Sequence, residues 1–415
     1  MIKFYPSVLN GQIEAPPSRA HALRILFAAA MCATPTKIEN LPDCSEIMIA
    51  ANCLRALGCK IEFFGDKRLS AKVEPFPKTT SLKVVDFNFK DSATTARFMT
   101  AIASALGFPA NCRAEGTLAH RSQVSMTSRM ALRGAVFSSF SFPLKLEGRL
   151  TGGLYELRGS EDSQFISALL LVLPILKDDS YIKFTEPLVD RTFIDMTIDI
   201  INRFGVHIEE REDGFFIPGR QYYQSAQKVV CDNDWAIASM WISAAAACSK
   251  SGGRVEVTGL PQNAGQMYKD VQYVLPLISQ DFTDLNIDAS NFPNLATVFC
   301  SLAVARGGIM RITGAHQLKR KETNRLKTMG TCLASLGISY EATNDGMIVS
   351  GKEGASYPEN LVIDTQNDPW IFMSMALASV ALKQPIILKD EHGAEKIYKQ
   401  FLADFTALGG KYEIY

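Results

Sequence analysis

Residues 328–346, TMGTCLASLGISYEATNDG, contain two hydrophobic periods in succession. Apolar residues recur at helical spacing up to Leu336, and apolar and polar residues alternate, as in a strand, after Gly337. Glycine is expected at this junction because the left-handed conformation that closes a helix carries no steric penalty without a Cβ atom. The stretch therefore predicts an amphipathic helix that ends at a glycine and leads directly into a strand.

The same pattern occurs in four other stretches, at residues 50–66, 127–140, 197–214 and 401–415. The glycines that close the five helices are Gly58, Gly134, Gly205, Gly337 and Gly409, and their separations are 76, 71, 132 and 72 residues. Because the third gap is nearly twice the others, one unit without a glycine is expected between, and residues 267–287 fit it. The chain is thus predicted to contain six units. Asp213-Gly214 and Asp345-Gly346 predict two-residue hairpin turns within two of them.

A second set of six helical segments is apolar nearly all round, which is typical of helices buried at the centre of a domain. These segments are residues 18–33, 92–107, 162–176, 234–249, 293–307 and 368–383. If three of the six units surround each of two cores, the chain is an α/β protein with two similar lobes. The first buried helix begins near Ser18 and leaves MIKFYPSVLNG without a partner. We therefore expect an N-terminal lobe of residues 16–232 and a C-terminal lobe of residues 1–15 plus 233–415.

Composition excludes several classes of protein. The chain has 415 residues, with 43 Lys+Arg, 43 Asp+Glu and a net charge of zero, so no broad nucleic-acid-binding surface is expected. Residues 165–176, the longest nearly apolar run, are too few to span a bilayer, and the N-terminus lacks the apolar core of a signal peptide. Nine cysteines without a C-x-x-C pair and five histidines without ligand spacing predict no metal and a cytoplasmic protein with reduced thiols. No membrane partner is expected.

The starts of the buried helices are the expected place for chemistry, because free N–H groups and the helix dipole attract anions there. Many polar residues at these starts are ordinary N-caps, which is the simpler interpretation. Four cations, however, would oppose the dipole unless an anion binds beside them. They are Arg19, Arg24, Arg97 and Lys321. The sequence therefore predicts small anionic molecules as ligands.

Five blocks, in order along the chain, resemble the EPSP synthase family of enolpyruvyl transferases. They are APPSRAHALRILFAAAM (15–31), LPDCSEIMIAANCLRALG (41–58), DSATTARF (91–98), GSEDSQFISALLL (159–171) and KETNR (321–325). The resemblance covers essentially the whole chain and implies a two-lobe inside-out α/β barrel built from six repeated units. It also implies transfer of the enolpyruvyl group of phosphoenolpyruvate to the 5-hydroxyl of shikimate 3-phosphate, on the pathway to chorismate. Both substrates would bind between the lobes of a monomer that needs no cofactor.

The resemblance also implies roles for individual residues. Lys321 would contact both ligands, Glu322 would protonate the methylene carbon, and Asn294 would lie at the acceptor hydroxyl. The residues implied for shikimate 3-phosphate are Arg19, Ala20, Arg24, Ser163, Gln164, Asn294, Gln317 and Lys321. Those implied for phosphoenolpyruvate are Arg19, Asp91, Ala93, Arg121, Gln164, Arg325 and Lys396.

The chain departs from the family pattern at several of these positions. Arg19 replaces a lysine, Ala20 a serine and Ala93 a glycine, while Asp162 and Asp190 replace serines that bind the shikimate phosphate; Asn294 replaces an aspartate and Trp370 an arginine. An amide orients a hydroxyl but does not accept its proton at neutral pH, and carboxylates repel a phosphate. In this family glyphosate occupies the phosphoenolpyruvate site, so the methyl group of Ala93 and the loss of an arginine predict weak inhibition.

Three interpretations remain open from the sequence. The chain is a divergent EPSP synthase with compensating changes, a paralogue that acts on another alcohol, or an inactive homologue that only binds ligands. Loss of phosphate-binding serines favours the second, and Asn294 with Trp370 favours the third. The third is disfavoured by a retained set of residues that no structural requirement of the fold demands, namely Lys321, Glu322, Arg325, Arg121 and Lys396.

Overall fold

The computed structural model describes residues 1–66, 68–77, 83–160, 162–188, 191–261, 265–278, 280, 282–305, 307–352 and 357–415. The chain forms two compact units. The first, here called the N-terminal unit, is Pro17–Asp232. The second, the C-terminal unit, combines Met1–Pro16 with Asn233–Tyr415, so the chain leaves it once and returns.

Helices of two kinds alternate along the chain. In the described residues they are α1 Arg19–Ala30, α2 Ser45–Ala56, α3 Ala93–Leu106, α4 Val124–Ala131, α5 Ser163–Val172, α6 Arg191–Arg203, α7 Trp235–Cys248, α8 Gly265–Ile278, α9 Leu295–Leu302, α10 Arg325–Ser335, α11 Pro369–Ala378 and α12 Phe401–Ala407. Helices α1, α3, α5, α7, α9 and α11 are buried along nearly their whole length, as their apolar sequences predict. No helix in the described ranges is long and apolar enough to cross a membrane.

The strands are short, and most have two to five residues. In the described residues they are β1 Ile2–Tyr5, β2 Asn10–Glu14, β3 Thr36–Pro42, β4 Lys60–Phe64, β5 Arg68–Glu74, β6 Val85–Asn88, β7 Ala110–Arg113, β8 Ala135–Phe137, β9 Leu144–Gly148, β10 Gly153–Leu157, β11 Ser180–Phe184, β12 Glu209–Arg211, β13 Gly214–Ile217, β14 Lys228–Val230, β15 Arg254–Thr258, β16 Asp284–Asp288, β17 Gly308–Thr313, β18 Ser339–Ala342, β19 Met347–Gly351, β20 Val362–Ile363, β21 Ile386–Leu388 and β22 Lys411–Ile414.

The N-terminal unit has three sheets with one shared plan. Their strand orders are β14-β3-β5-β4, β6-β7-β9-β8 and β10-β11-β13-β12. In each sheet the first pair is parallel and the other pairs are antiparallel. Ile182 of β11, for example, lies opposite Tyr155 of β10 and Phe215 of β13, and all three are buried. Each sheet therefore covers the buried helices α1, α3 and α5 with one apolar face.

The C-terminal unit repeats this plan with two changes. Its sheet β16-β17-β19-β18 follows the plan completely. In the sheet β20-β21-β1-β22, strand β1 takes the place that a hairpin strand holds elsewhere, and Ile2 lies opposite both Leu388 and Ile414. The third sheet has only β15 and β2 within the described residues. Helix α8 is followed by the first strand of the next sheet and not by a hairpin. The repeat that contains α8 therefore lacks the glycine that closes the corresponding helix in the other repeats.

The closing glycines have the expected conformation, whereas the Asp-Gly pairs do not form the expected turns. The five closing glycines have φ between 74° and 98°. In the first hairpin Arg211 pairs with Gly214, so the two turn residues are 212 and 213. A Cβ atom on Gly214 would lie 1.8 Å from the carbonyl oxygen of Ile182, and one on Gly346 would lie 1.8 Å from that of Ile312. Both glycines are thus required by a close approach to the neighbouring strand. The two predicted hairpins form, but the turn of the first lies one residue earlier than predicted, and residues 343–346 rather than a two-residue turn connect the strands of the second.

Candidate functional site

In the N-terminal unit, the residues expected to bind ligands lie at the starts of the buried helices. Arg19 is the first residue of α1, Ala93 the first of α3 and Ser163 the first of α5. Asp162 precedes α5 and accepts a hydrogen bond from the backbone N–H of Gln164, at 3.1 Å. Asp162 is therefore an N-cap, as its residue type predicts.

Arg19 is held by a carboxylate that the sequence did not single out. Its Nη1 lies 2.5 Å from Oε2 of Glu46, which is in the first turn of α2. Glu46 is only 3% exposed, whereas Arg19 is 25% exposed. The argument that Arg19 needs an external anion is therefore wrong, because a protein carboxylate already neutralises it. The available signal was an acidic residue in the first turn of α2.

Arg24 is enclosed by its own unit. Its guanidinium donates to the hydroxyl oxygens of Thr197 (2.7 Å) and Ser167 (3.2 Å) and to the carbonyl oxygen of Ala20 (2.9 Å). It also lies 5.6 Å from the ring centre of Phe98. These contacts compensate for the charge at the helix start without a ligand, which corrects the argument from the dipole for this residue as well.

Arg97 is compensated in a similar way. It donates to the carbonyl oxygen of Ala93 at 3.2 Å and lies 5.2 Å from the ring centre of Phe165. Of the four cations at helix starts, only the ammonium of Lys321 has no ion pair, hydrogen bond or ring contact among the described residues. The argument that a cation at a helix start needs a bound anion therefore still applies to Lys321 alone.

Three predicted ligand-binding residues have buried polar atoms that lack hydrogen bonds. Within the described part of the chain, no partner is present for Nε of Arg121, Oε1 of Gln164, or either polar atom of the Gln317 side chain. Buried polar atoms are normally satisfied, so such atoms mark places where a polar ligand would restore the missing bonds. Arg121 follows the 3-10 turn Gly116–His120, and Gly116 packs near Asp91, another predicted residue.

In the C-terminal unit, the predicted residues gather around Arg325, the first residue of α10. Its Nε donates to both carboxylate oxygens of Asp368, at 2.8 and 3.0 Å. Its Nη1 donates to Oδ1 of Asn294 at 2.7 Å, and its Nη2 pairs with Glu322. Nζ of Lys396 lies 3.8 Å from the other oxygen of Glu322. Four of the predicted residues are thus brought together, and Asp368 joins them.

Asp368 serves two purposes. It accepts from the backbone N–H groups of Trp370 and Ile371, at 3.0 and 3.4 Å, and it binds Arg325 with the same carboxylate. Asn294 precedes α9 but makes no cap with its side chain, because its oxygen faces Arg325. A capping aspartate beside a buried helix start is the only signal in the sequence for this dual role.

The remaining predicted residues are placed as follows. Lys321 ends the 3-10 turn His316–Arg320, which contains Gln317, and it is half-buried. Trp370 packs its indole into the core of the C-terminal unit. Asp190 lies outside the described residues. No group of three or more metal-binding side chains occurs in the ranges that the structure describes.

The chain is similar to known proteins over nearly its whole length. The model of a family described as EPSP synthase (3-phosphoshikimate 1-carboxyvinyltransferase) matches residues 5–405. The 3-phosphoshikimate 1-carboxyvinyltransferase of Clostridium perfringens is 30% identical, over 98% of this chain and 97% of that protein. The protein of the same name from Clostridium acetobutylicum is 28% identical, over 99% and 97%.

Solved structures show the same fold. The EPSP synthase of Acinetobacter baumannii matches with a TM-score of 0.78 at 17% identity, over 100% of this chain and 99% of that one. The enolpyruvyl transferase NikO of Streptomyces tendae matches with a TM-score of 0.78 at 16% identity, over 99% and 98%. The predicted fold class, six repeated units of helices and small sheets, is confirmed.

Proposed function

The chain belongs to the EPSP synthase family, and from this premise we propose how its residues divide the work of the reaction. The protein is a transferase that moves the enolpyruvyl group of phosphoenolpyruvate to the 5-hydroxyl of shikimate 3-phosphate, in the shikimate pathway to chorismate. The observation that carries the assignment of residues is the cluster of Arg325, Glu322, Lys396 and Asn294. In it Glu322 pairs with both cations, and Asn294 accepts a hydrogen bond from Arg325.

The acid in this scheme is Glu322. It gives a proton to the methylene carbon of phosphoenolpyruvate while the acceptor oxygen bonds to the neighbouring carbon, which forms a tetrahedral intermediate. Phosphate then leaves with the proton of the acceptor hydroxyl, and the methyl carbon returns a proton to Glu322. Lys321 and Lys396 stabilise the negative charge of the substrates. Asn294 orients the acceptor hydroxyl through a hydrogen bond, because an amide cannot take its proton.

Anion binding in this proposal is divided among several residues. Arg325 binds the carboxylate of phosphoenolpyruvate, for which a planar guanidinium is well shaped. Arg121 binds the phosphate of phosphoenolpyruvate, and the unsatisfied Nε of Arg121 within the described residues supports this assignment. Ser163 and Gln164 bind shikimate 3-phosphate, with Gln164 also supported by its buried, unpaired oxygen. Arg24 contributes by fixing α1, since its own donors are occupied.

The test is release of inorganic phosphate from phosphoenolpyruvate in the presence of shikimate 3-phosphate, repeated with unphosphorylated shikimate. The proposal expects phosphate release that requires shikimate 3-phosphate and is lost in Glu322→Gln, with Glu359→Gln, an exposed glutamate, as the matched control. Binding of phosphoenolpyruvate without any turnover would support an inactive homologue instead.

A second candidate is transfer to another alcohol. Asp162 favours it, because its carboxylate caps α5 at a position where the family has a phosphate-binding serine. Phosphate release with unphosphorylated shikimate but not with shikimate 3-phosphate would favour this candidate.

We also propose that the protein acts in the cytoplasm as a monomer. All nine cysteines are free and buried, and burial raises the pKa of the Cys300 thiol to about 12, so this thiol stays protonated and unreactive. Such thiols suit a reducing compartment.

A further inference from the structure

Two consecutive residues just before helix α11 have left-handed backbone conformations. Gln366 has a φ of 55° and Asn367 a φ of 54°. The backbone N–H of Asp368 donates to the carbonyl oxygen of Thr365 at 3.0 Å, so residues 365–368 form a β-turn with positive φ at both central positions. Glycine, asparagine and aspartate are the usual residues in such a turn, and glutamine is not. Contacts outside the turn must therefore hold it in this conformation.

Asp390 supplies the buried contacts of this turn. Its Oδ2 accepts from the backbone N–H of Asn367 at 3.1 Å and from the hydroxyl of Thr365. Asp390 is 9% exposed and Thr365 is completely buried. A carboxylate is a strong acceptor for N–H and O–H donors in such a place. Asp390 therefore ties the turn to the segment that follows β21.

Two further contacts hold the first central residue of the turn. Oδ1 of Asp364 accepts from the backbone N–H of Gln366 at 2.8 Å. The hydroxyl of Thr328, in α10, donates to Oε1 of Gln366 at 3.2 Å. Asp364 is 52% exposed, so water competes for its contact, whereas Asp390 is shielded from water. We therefore expect Asp390 to contribute more than Asp364 to the conformation of the turn.

The turn determines where the carboxylate of Asp368 lies. Asp368 is the last residue of the turn and the N-cap of α11, and it is completely buried. Its two oxygens accept from Nε of Arg325 at 2.8 and 3.0 Å, and one of them also accepts from the hydroxyl of Thr323 at 3.1 Å. A change in the turn would move this carboxylate relative to α10, and the guanidinium of Arg325 would lose the partner that fixes its orientation.

We propose that Asp390 is a positioning residue for the transfer reaction. It holds the left-handed turn of residues 365–368, and the turn places Asp368 against Arg325. Asp390 contacts no substrate in this scheme and acts on the carboxylate of phosphoenolpyruvate only through Asp368 and Arg325. The inference rests on the proposed role of Arg325 in binding that carboxylate.

The experiment measures phosphate release and backbone amide exchange in the full chain. Asp390→Ala should raise the KM for phosphoenolpyruvate about tenfold and leave the KM for shikimate 3-phosphate within about twofold of the wild-type value. Hydrogen exchange at the amides of Asn367 and Asp368 should be faster in this variant, because the turn has lost its buried acceptor. Asp390→Asn should behave within about threefold of wild type in both measurements, since an amide oxygen can still accept both hydrogen bonds.

Asp179→Ala is the matched control. Oδ1 of Asp179 likewise accepts from a backbone N–H, that of Gly219 at 2.9 Å, but it lies in the N-terminal unit. This variant should leave both KM values and the exchange of residues 365–368 unchanged. Thr365→Val removes only the hydroxyl that donates to Asp390 and should act in the same direction as Asp390→Ala. It provides the test if Asp390→Ala does not fold.

An unchanged KM for phosphoenolpyruvate in Asp390→Ala would overturn the inference, and so would equal rises in the two KM values. Unchanged amide exchange in the turn would overturn it as well, because the effect would then not pass through the turn. Absence of phosphate release from the wild-type protein would instead defeat the proposed function. In that case the calorimetric affinity for phosphoenolpyruvate takes the place of KM, and the same comparison among the variants decides the inference.

Discussion

Arg19 and Glu46 form an ion pair between the starts of two helices, with Nη1 of Arg19 2.5 Å from Oε2 of Glu46. The two partners differ in exposure, since Glu46 is almost completely buried and Arg19 is partly in contact with solvent. The pair therefore fixes the direction in which the Arg19 guanidinium points. Replacing Arg19 should affect the stability of the protein differently from replacing Glu46.

Arg19→Met should destabilise the protein more than Glu46→Gln. The first change leaves a buried carboxylate without its cation, a situation that costs about 3–5 kcal/mol when the group is fully enclosed. The second leaves an arginine that water can partly solvate, so a cost of about 1 kcal/mol is expected. Urea unfolding of both variants measures the difference, and a larger loss for Glu46→Gln would contradict it.

Lys321→Ala and Arg121→Ala should each weaken binding of phosphoenolpyruvate by about 1.5–3 kcal/mol without lowering the melting temperature. Each change removes a charge-assisted contact with an anion, and neither residue supports the core. Lys327→Ala, which removes an exposed lysine on α10, is the control. Calorimetric affinities that equal the wild-type value in both variants would show that these residues do not bind the substrate.

Acid should destabilise the protein through His21. Burial and the nearby charge of Arg203 lower the pKa of His21 to about 3. Its Nδ1 accepts from the backbone N–H of Asp232, at 3.1 Å, which requires the neutral ring. The unfolded chain binds a proton below about pH 6.5 while the folded chain does not, so stability is lost as the pH falls from about 6.5 toward 3.

The size of this effect is measured against His21→Gln, which cannot titrate. Wild type should lose up to about 1.4 kcal/mol per pH unit more than the variant below pH 6.5. Burial raises the pKa of Asp232, which acts in the opposite direction at the acid end and reduces the slope there. Parallel stability curves for the two proteins between about pH 7 and 5 would refute the assignment.

Glyphosate should inhibit this enzyme weakly, and Ala93→Gly should restore sensitivity. Ala93 is buried at the first position of α3. The family resemblance implies that its methyl group lies where the inhibitor would bind. A methyl group in a tight pocket is worth about tenfold or more in affinity. Glyphosate inhibition should tighten by about this factor while the apparent affinity for phosphoenolpyruvate changes less. Inhibition of the wild-type enzyme at low micromolar glyphosate would show that Ala93 does not line the site.

The helices were predictable from the sequence because their determinants are local. Apolar residues at helical spacing and a glycine such as Gly337 act within one turn of their own position. The interpretation of Gly214 was wrong for the complementary reason. A glycine is required at position 214 because the carbonyl oxygen of Ile182 in a neighbouring strand lies too close for a Cβ atom. The sequence around residue 214 contains no sign of that contact.

In the candidate site, too, local features were predictable from the sequence and long-range contacts were not. The presence of Arg325, Glu322 and Lys396 was predicted from a family resemblance, but their pairing was not. Arg325 meets Asp368, which lies 43 residues further along the chain, and this contact exists only once α10 and α11 are packed side by side. Glu46, the partner of Arg19, was missed because a glutamate in a first turn is ordinarily explained by the helix dipole.

The pairing of β1 with β22 has a consequence for synthesis on the ribosome. All of the N-terminal unit has been made once Asp232 has emerged, so this unit has every strand of its sheets while the rest of the chain is still being translated. Strand β1, although it is made before the N-terminal unit, has both edges open until β21 and finally β22 arrive. A nascent chain therefore carries an apolar strand, with Ile2 and Phe4 uncovered, until these strands have been made, and we expect it to be a binding site for chaperones during that interval.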